Sequence, residues 1–170
     1  MGEGQGATFT ATLPLMKIHL HEQQSDRQPD EFPDLNGLKV LVVDDEVDTR
    51  ELIAFILQQS GAEVTQVASA TEALQPLTQF KPNVLVSDIG MPEVNGYMLM
   101  RQIRAMPPEL GGQIPALAKL LRRRLALTAY AGDVDYQQAI AAGFQQHIPK
   151  PVNPAALVAA VANLADMSLR

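Results

Sequence analysis

KPNVLVSDIGMPE, Lys81–Glu93, is the stretch that decides how this chain folds. Asn83–Ser87 is a short, valine-rich apolar run. It ends in one carboxylate, Asp88, and breaks at once into Gly90, Met91 and Pro92. A run of that length closed by turn residues predicts a buried strand that delivers an acid to a loop. An acid after a strand is ordinary by itself, because most are solvated or cap the next turn. The ends of the other strands decide whether Asp88 is more than that.

Upstream, Leu38–Val43 is apolar apart from Lys39 and predicts a strand buried on both faces. It stops at Asp44, Asp45 and Glu46. Asp48–Gln59 carries Leu52, Ile53, Ile56 and Leu57 at helical spacing, and Gly61 supplies the stop. Glu63–Val67 reads as a second strand. Ser69 with Glu72 makes a capping box for a helix through Phe80, in which Pro76 removes a hydrogen bond. Downstream, Tyr97–Met106 predicts a third helix whose methionines fill core. Arg124–Ala129 predicts the fourth strand, with Thr128 at its end. Val134–Ala142 reads as a helix closed by Gly143, and Gln146–Ile148 as a fifth strand ending at Pro149, Lys150 and Pro151. Asn153 and Pro154 then open a last helix through Ala165. Alternating strands and helices argue for an α/β fold, a five-stranded parallel sheet with helices on both faces. Right-handed crossovers put all strand carboxyl ends on one edge.

The bulk properties fit. The 170 residues hold one domain of common size with some left over. Hydrophobic residues make up 46% and charged residues 19%, ordinary for a globular protein. A net charge of −6 argues against broad binding to nucleic acid or anionic membranes, so no nucleic-acid partner is expected. The absence of cysteine excludes disulfides and thiolate chemistry and fits a reducing cytoplasm, the expected location. No apolar run approaches a membrane span and no secretion signal opens the chain.

The chemistry sits at the strand ends. Strand one ends in Asp44 and Asp45, strand three in Asp88, strand four in Thr128, strand five in Lys150. In an open α/β sheet, ligands bind outside the carboxyl ends where the strand order reverses. In the order 2-1-3-4-5, strands one and three are neighbours there, and three carboxylates meet. Like charges held that close repel unless a cation joins them. A hard divalent ion with oxygen ligands, Mg²⁺ with Mn²⁺ as substitute, is the simplest solution. Lys150 adds a fixed positive charge and Thr128 a hydroxyl donor. An oxygen nucleophile, a metal and donors to the equatorial oxygens are the parts phosphoryl transfer needs. The plainer alternative is that Asp44 and Asp45 cap the first helix, Lys150 is a surface lysine and Thr128 only ends a strand.

With these residues in view, Leu38–Ala165 resembles the receiver domain of two-component response regulators. The resemblance rests on VVDDE at Val42–Glu46, SDIGMPEVNG at Ser87–Gly96, LTAYA at Leu127–Ala131 and PKPV at Pro149–Val152. It covers about three quarters of the chain and implies a flavodoxin-like (βα)5 fold. It further implies that Asp88 accepts a phosphoryl group from a phosphohistidine. Asp44, Asp45, Asp88 and the Gly90 carbonyl would hold Mg²⁺. Thr128 would bond the phosphoryl group, Lys150 would neutralise it, and the Lys150–Pro151 bond would be cis. The implied partner is a histidine kinase or a histidine phosphotransfer domain, and a homodimer stays open.

Three places depart from that pattern. His147 stands where the family usually has an aromatic switch residue. Gly90 and Tyr130 flank the acceptor at positions that vary. LAKLLRRR, Leu117–Arg124, intervenes where family members run from GGQIPA directly into LALTAYA. It reads as a solvated excursion, with a basic docking helix as the alternative.

Residues 1–36 differ from the rest. GEGQGATFTATLP resembles the end of the ATP-binding domain of histidine kinases, a glycine-bearing turn leading into a last strand. HLHEQQSDRQPDEFPD reads as a linker. The expected organisation is a remnant strand plus linker over 1–36 and a receiver over 37–166, cut from a hybrid histidine kinase that need not be soluble as a whole. No kinase site is expected in the fragment, since the upstream ATP-binding motifs are missing. Competing readings are a stand-alone receiver, a docking module that works without phosphorylation, and an aspartyl-nucleophile phosphatase. The last is disfavoured because its class resembles a DxD arrangement after the first strand. A DNA-binding output is disfavoured because no helix-turn-helix follows Ala165.

Overall fold

Each of the two sheet faces is written into alternate residues of the strands. In the computed structural model, which describes residues 32–120 and 131–168, five parallel strands run in the order β2-β1-β3-β4-β5. They are β1 (Lys39–Val43), β2 (Glu63–Val67), β3 (Val84–Asp88), β4 (Ala116–Leu120) and β5 (Gln146–Pro149). The helices between and after them are α1 (Val47–Gln59), α2 (Ala70–Gln79), α3 (Gly96–Arg104), α4 (Ala131–Ala142) and α5 (Pro154–Ser168). The described residues lie within one unit, Glu31–Arg170. The proposed remnant strand near Thr8–Leu13 and its linker lie outside them. No helix among the described residues is long and apolar enough to cross a membrane.

Successive side chains on a strand point to opposite faces. Leu41, Val43, Leu85, Ala116 and Ala118 pack with Leu77 of α2, Leu99 and Ile103 of α3 and Ala139 of α4. Val40, Val42, Val84, Val86 and Leu117 pack with Ile53 and Leu57 of α1 and Leu157 and Val161 of α5. Each fully buried valine, leucine or isoleucine among them is worth about 1.5–3 kcal/mol relative to exposure. That is why β1 and β3 read as continuous apolar runs. Leu35 is buried in the α1–α5 layer as well, and its N–H donates to the Ser60 carbonyl at 2.8 Å.

The helix starts follow their caps. Ser69 accepts from the Glu72 N–H at 3.2 Å, and the Glu72 carboxylate reaches back to the Ala68 N–H at 3.1 Å. Asn95 accepts from the Met98 N–H and Asn153 from the Ala156 N–H. Each closes an otherwise orphaned donor of the first turn. Pro76 is accommodated within α2.

The fourth strand is a correction. Ala116–Leu120 pairs with β3 on one side and β5 on the other. The expected strand at Arg124–Ala129 is therefore displaced eight residues towards the N-terminus, and Leu117–Leu120 is central sheet rather than a solvated or helical excursion. The physical reason is Lys119. A lysine inside an apolar run looked like a surface residue, because buried lysines are rare unless paired. Here the strand carries it to a carboxylate, so the charge is paired and the apolar residues around it are free to fill the sheet.

Candidate functional site

The alternation that builds the α1–α5 layer continues past its apolar residues into polar ones. Asp44 follows Val42, Asp88 follows Val86 and Lys119 follows Leu117, each two positions on. Asp88 and Lys119 are register partners across β3 and β4. All three side chains are buried: Asp44 is 1% exposed, Asp88 5% and Lys119 0%. Asp45 is exposed beside them. Carboxylate oxygens of Asp44, Asp45 and Asp88 lie within 4.8 Å of one another.

Both oxygens of Asp44 are engaged. Oδ1 accepts from the Glu46 N–H at 3.0 Å, and Oδ2 is held by the Lys119 ammonium in a buried ion pair. The Asp44 backbone is fixed on both sides, its N–H donating to the Val67 carbonyl at 3.2 Å and its carbonyl accepting from Arg50 Nη1 at 2.6 Å. On Asp88, Oδ1 pairs with Lys150 Nζ at 3.0 Å. Oδ2 faces Gly90, where an added Cβ would stand 3.7 Å away. The Lys150–Pro151 peptide is cis.

The loop after β3 is folded back tightly. The Gly96 N–H donates to the Ile89 carbonyl at 3.1 Å, and the Val94 N–H to the Pro92 carbonyl at 2.7 Å. A Cβ on Gly96 would stand 2.9 Å from Ile89 Cα and still closer to the Asp88 carbonyl. Only glycine lets α3 start directly against the backbone of the acid.

The structure thus brings Asp44, Asp45, Asp88 and Lys150 together, with Gly90 next to Asp88. Thr128 lies outside the described residues. The fourth strand ends at Leu120, so the expectation that Thr128 closes it is corrected. His147 is exposed on β5, its ring centroid 4.9 Å from that of Tyr136 and tilted by 58°. Sequence reasoning missed Lys119 and Arg50. The signal for Lys119 was present: Leu38–Val43 contains a single lysine, Lys39, and was still read as a strand.

Three carboxylates converging on one point, two of them buried, form an all-oxygen donor set that suits a hard cation such as Mg²⁺. The arrangement fits the metal that the fold implies. It also offers one buried acid, Asp88, with the Lys150 ammonium on one of its two oxygens.

A parallel sheet in this order, with acids at the ends of its first and third strands and a lysine after its fifth, defines a class: the response regulator receivers. Residues 40–162 match the family model of the response regulator receiver domain, and the chain belongs to that family. A protein of Leptolyngbya boryana, described as an uncharacterized 14.6 kDa protein in the sodA1 3' region, is 42% identical over 124 residues, 73% of this chain and 87% of that protein. The crystal structure of a response regulator of Chloroflexus aurantiacus is similar with a TM-score of 0.66 and 27% identity, over 76% of this chain and 98% of that one. The receiver domain of a signal transduction histidine kinase from Syntrophus aciditrophicus is similar with a TM-score of 0.63 and 26% identity, over 76% and 91%. Other curated relatives are longer, and the matched part is 30% of one and 49% of another.

Proposed function

We propose that this receiver accepts a phosphoryl group on Asp88 from a phosphohistidine of a histidine kinase or phosphotransfer domain. The observation that carries the reading is Asp88 itself: a buried acid at the end of β3, with one oxygen held by Lys150 and two further carboxylates beside it. The oxygen that Lys150 does not hold attacks phosphorus. The phosphorus–nitrogen bond to the partner's imidazole breaks, and an aspartyl phosphate forms. Lys150 keeps the carboxylate oriented and meets the charge on the incoming phosphoryl oxygens. Asp44, Asp45, Asp88 and the Gly90 carbonyl would hold Mg²⁺, which when bound supplies charge neutralisation of the phosphoryl oxygens. Thr128 is proposed to donate its hydroxyl to the same oxygens. Water then hydrolyses the aspartyl phosphate and returns Asp88 to its resting state.

We place the chain within a hybrid histidine kinase, as a receiver following the kinase's ATP-binding domain. The glycine-rich opening and the alternating pattern of Thr8–Leu13 in the sequence support this, as does the likeness to a receiver of a signal transduction histidine kinase. A parent kinase of this kind would present the receiver to the cytoplasm. The reading of a docking module that needs no phosphorylation is favoured by one observation, the ammonium of Lys119 inside the acidic cluster.

Incubation with acetyl phosphate and Mg²⁺, followed by intact-mass measurement, separates the two. One added phosphoryl group on the wild type and none on Asp88→Asn is expected. Equal labelling of both proteins, or of neither, would remove the phosphoacceptor reading.

A further inference from the structure

We propose that Lys119 is a tethered cation that stands in for the divalent ion at Asp44, so that Mg²⁺ enters only by displacing its ammonium group. The inference rests on the metal-binding reading of the acidic cluster and adds a competitor to it.

Three observations carry it. Lys119 is fully buried, and its ion pair with Asp44 Oδ2 is the only polar contact of its ammonium among the described residues. A buried lysine is costly to keep charged, and its place here is set by the acid it meets. Second, the pair uses up Asp44. Its other oxygen already accepts the Glu46 N–H, so a cation approaching this carboxylate meets the Lys119 charge at Oδ2 and a partly used acceptor at Oδ1. Third, the charge is nearly balanced without a metal. Three carboxylates face two ammonium groups, Lys119 and Lys150, which leaves one formal negative charge instead of two. The attraction for a doubly charged ion falls accordingly.

The position of Lys119 makes this a property of this chain. It continues the α1–α5 face of β4, in register with Asp88, and its ammonium meets Asp44 at the end of β1. The four-carbon stem carries several rotatable torsions, so the ammonium leaves Asp44 by rotation of the side chain and not by a shift in strand register. The resting receiver is held with a low affinity for the metal and keeps its acids from repelling one another when the metal is scarce.

Calorimetric titration of the full chain with Mg²⁺ tests this, comparing wild type with Lys119→Leu. The variant should bind Mg²⁺ on the order of tenfold more tightly, since one positive charge and one competitor are removed. Equal or weaker binding by the variant overturns the proposal. If neither protein binds Mg²⁺, the metal site itself is refuted and the tethered-cation role falls with it. If the variant loses its fold in chelator, circular dichroism during Mg²⁺ addition decides. Refolding with metal supports the exchange of one cation for another, whereas a chain that stays unfolded at saturating Mg²⁺ shows that the sheet needs the lysine for another reason.

Discussion

Lys150 reaches across a strand to meet Asp88. Its ammonium follows β5, Asp88 ends β3, and β4 lies between them, yet Nζ stands 3.0 Å from Oδ1. Lys150 is a quarter exposed while Asp88 is buried, so the pair is anchored on the acid's side and open on the lysine's. Lys150→Met should lower the rate of labelling by acetyl phosphate by about 100-fold, the usual cost of removing one oriented charge from a phosphoryl or oxyanion site. Thermal unfolding should shift by only about 1 kcal/mol, because an open pair contributes little to stability. A large loss of stability with unchanged labelling would mean that the pair is structural.

Gly96 is the second site where a small change should be felt at Asp88. A methyl group there meets backbone, not a side chain that can swing away. Gly96→Ala should cost about 1–3 kcal/mol in denaturant unfolding, the range for forced packing. Labelling of Asp88 should fall with it, because the displaced atoms belong to Asp88 and Ile89. Wild-type stability in the variant would show that the loop yields freely.

Arg104 holds three segments at once. Its guanidinium donates to the Gly143 carbonyl through Nε and Nη2, to Gly112 through Nη1 and to Ile114 through Nη2. Burial lowers its pKa from the usual arginine value, which still leaves it charged at any ordinary pH. Arg104→Lys keeps the charge but cannot span the fork, so stability should fall by about 2 kcal/mol. Chemical denaturation compared with Arg101→Lys, on the exposed side of α3, provides the control.

Tyr97 gives a pH dependence. Burial, and then the Asp135 carboxylate, push its phenol above the usual 10.0. The hydroxyl donates to the Asp135 carbonyl at 3.3 Å. The unfolded chain loses this proton at a lower pH than the folded one. The phenol's contribution is therefore complete below about pH 10 and is lost as the pH rises through the higher folded value. Tyr97→Phe should move alkaline unfolding to higher pH, read from circular dichroism. An unchanged midpoint would show that Tyr97 ionises alike in both states.

Four of the five strands were legible because hydrophobic runs, capping residues and turn glycines agree along most of the chain. Asp44, Asp45, Asp88 and Lys150 could be found because each follows a strand that the sequence marks. The fourth strand was not legible, and the cause is local. LAKL at Leu117–Leu120 and LALT at Leu125–Thr128 are two similar strand candidates in succession. Hydrophobicity alone favours the second, since it contains no lysine. The choice turns on an ion pair with Asp44, 75 residues away in sequence, and no periodicity within the segment records it. Arg50 is hidden for the same reason: its partner is a backbone carbonyl, which any residue type supplies.

The Arg104 clamp also acts as a measuring device. By gripping the Ile114 carbonyl it sets where the fourth strand starts, and a strand advances about 3.3 Å per residue. Five residues on, about 17 Å along the sheet, the residue that arrives opposite Asp88 is Lys119. A start shifted by one position would turn that lysine to the opposite face and bring a different side chain to Asp44. An arginine at the far end of the sheet thus decides, by counting, which residue the acids meet.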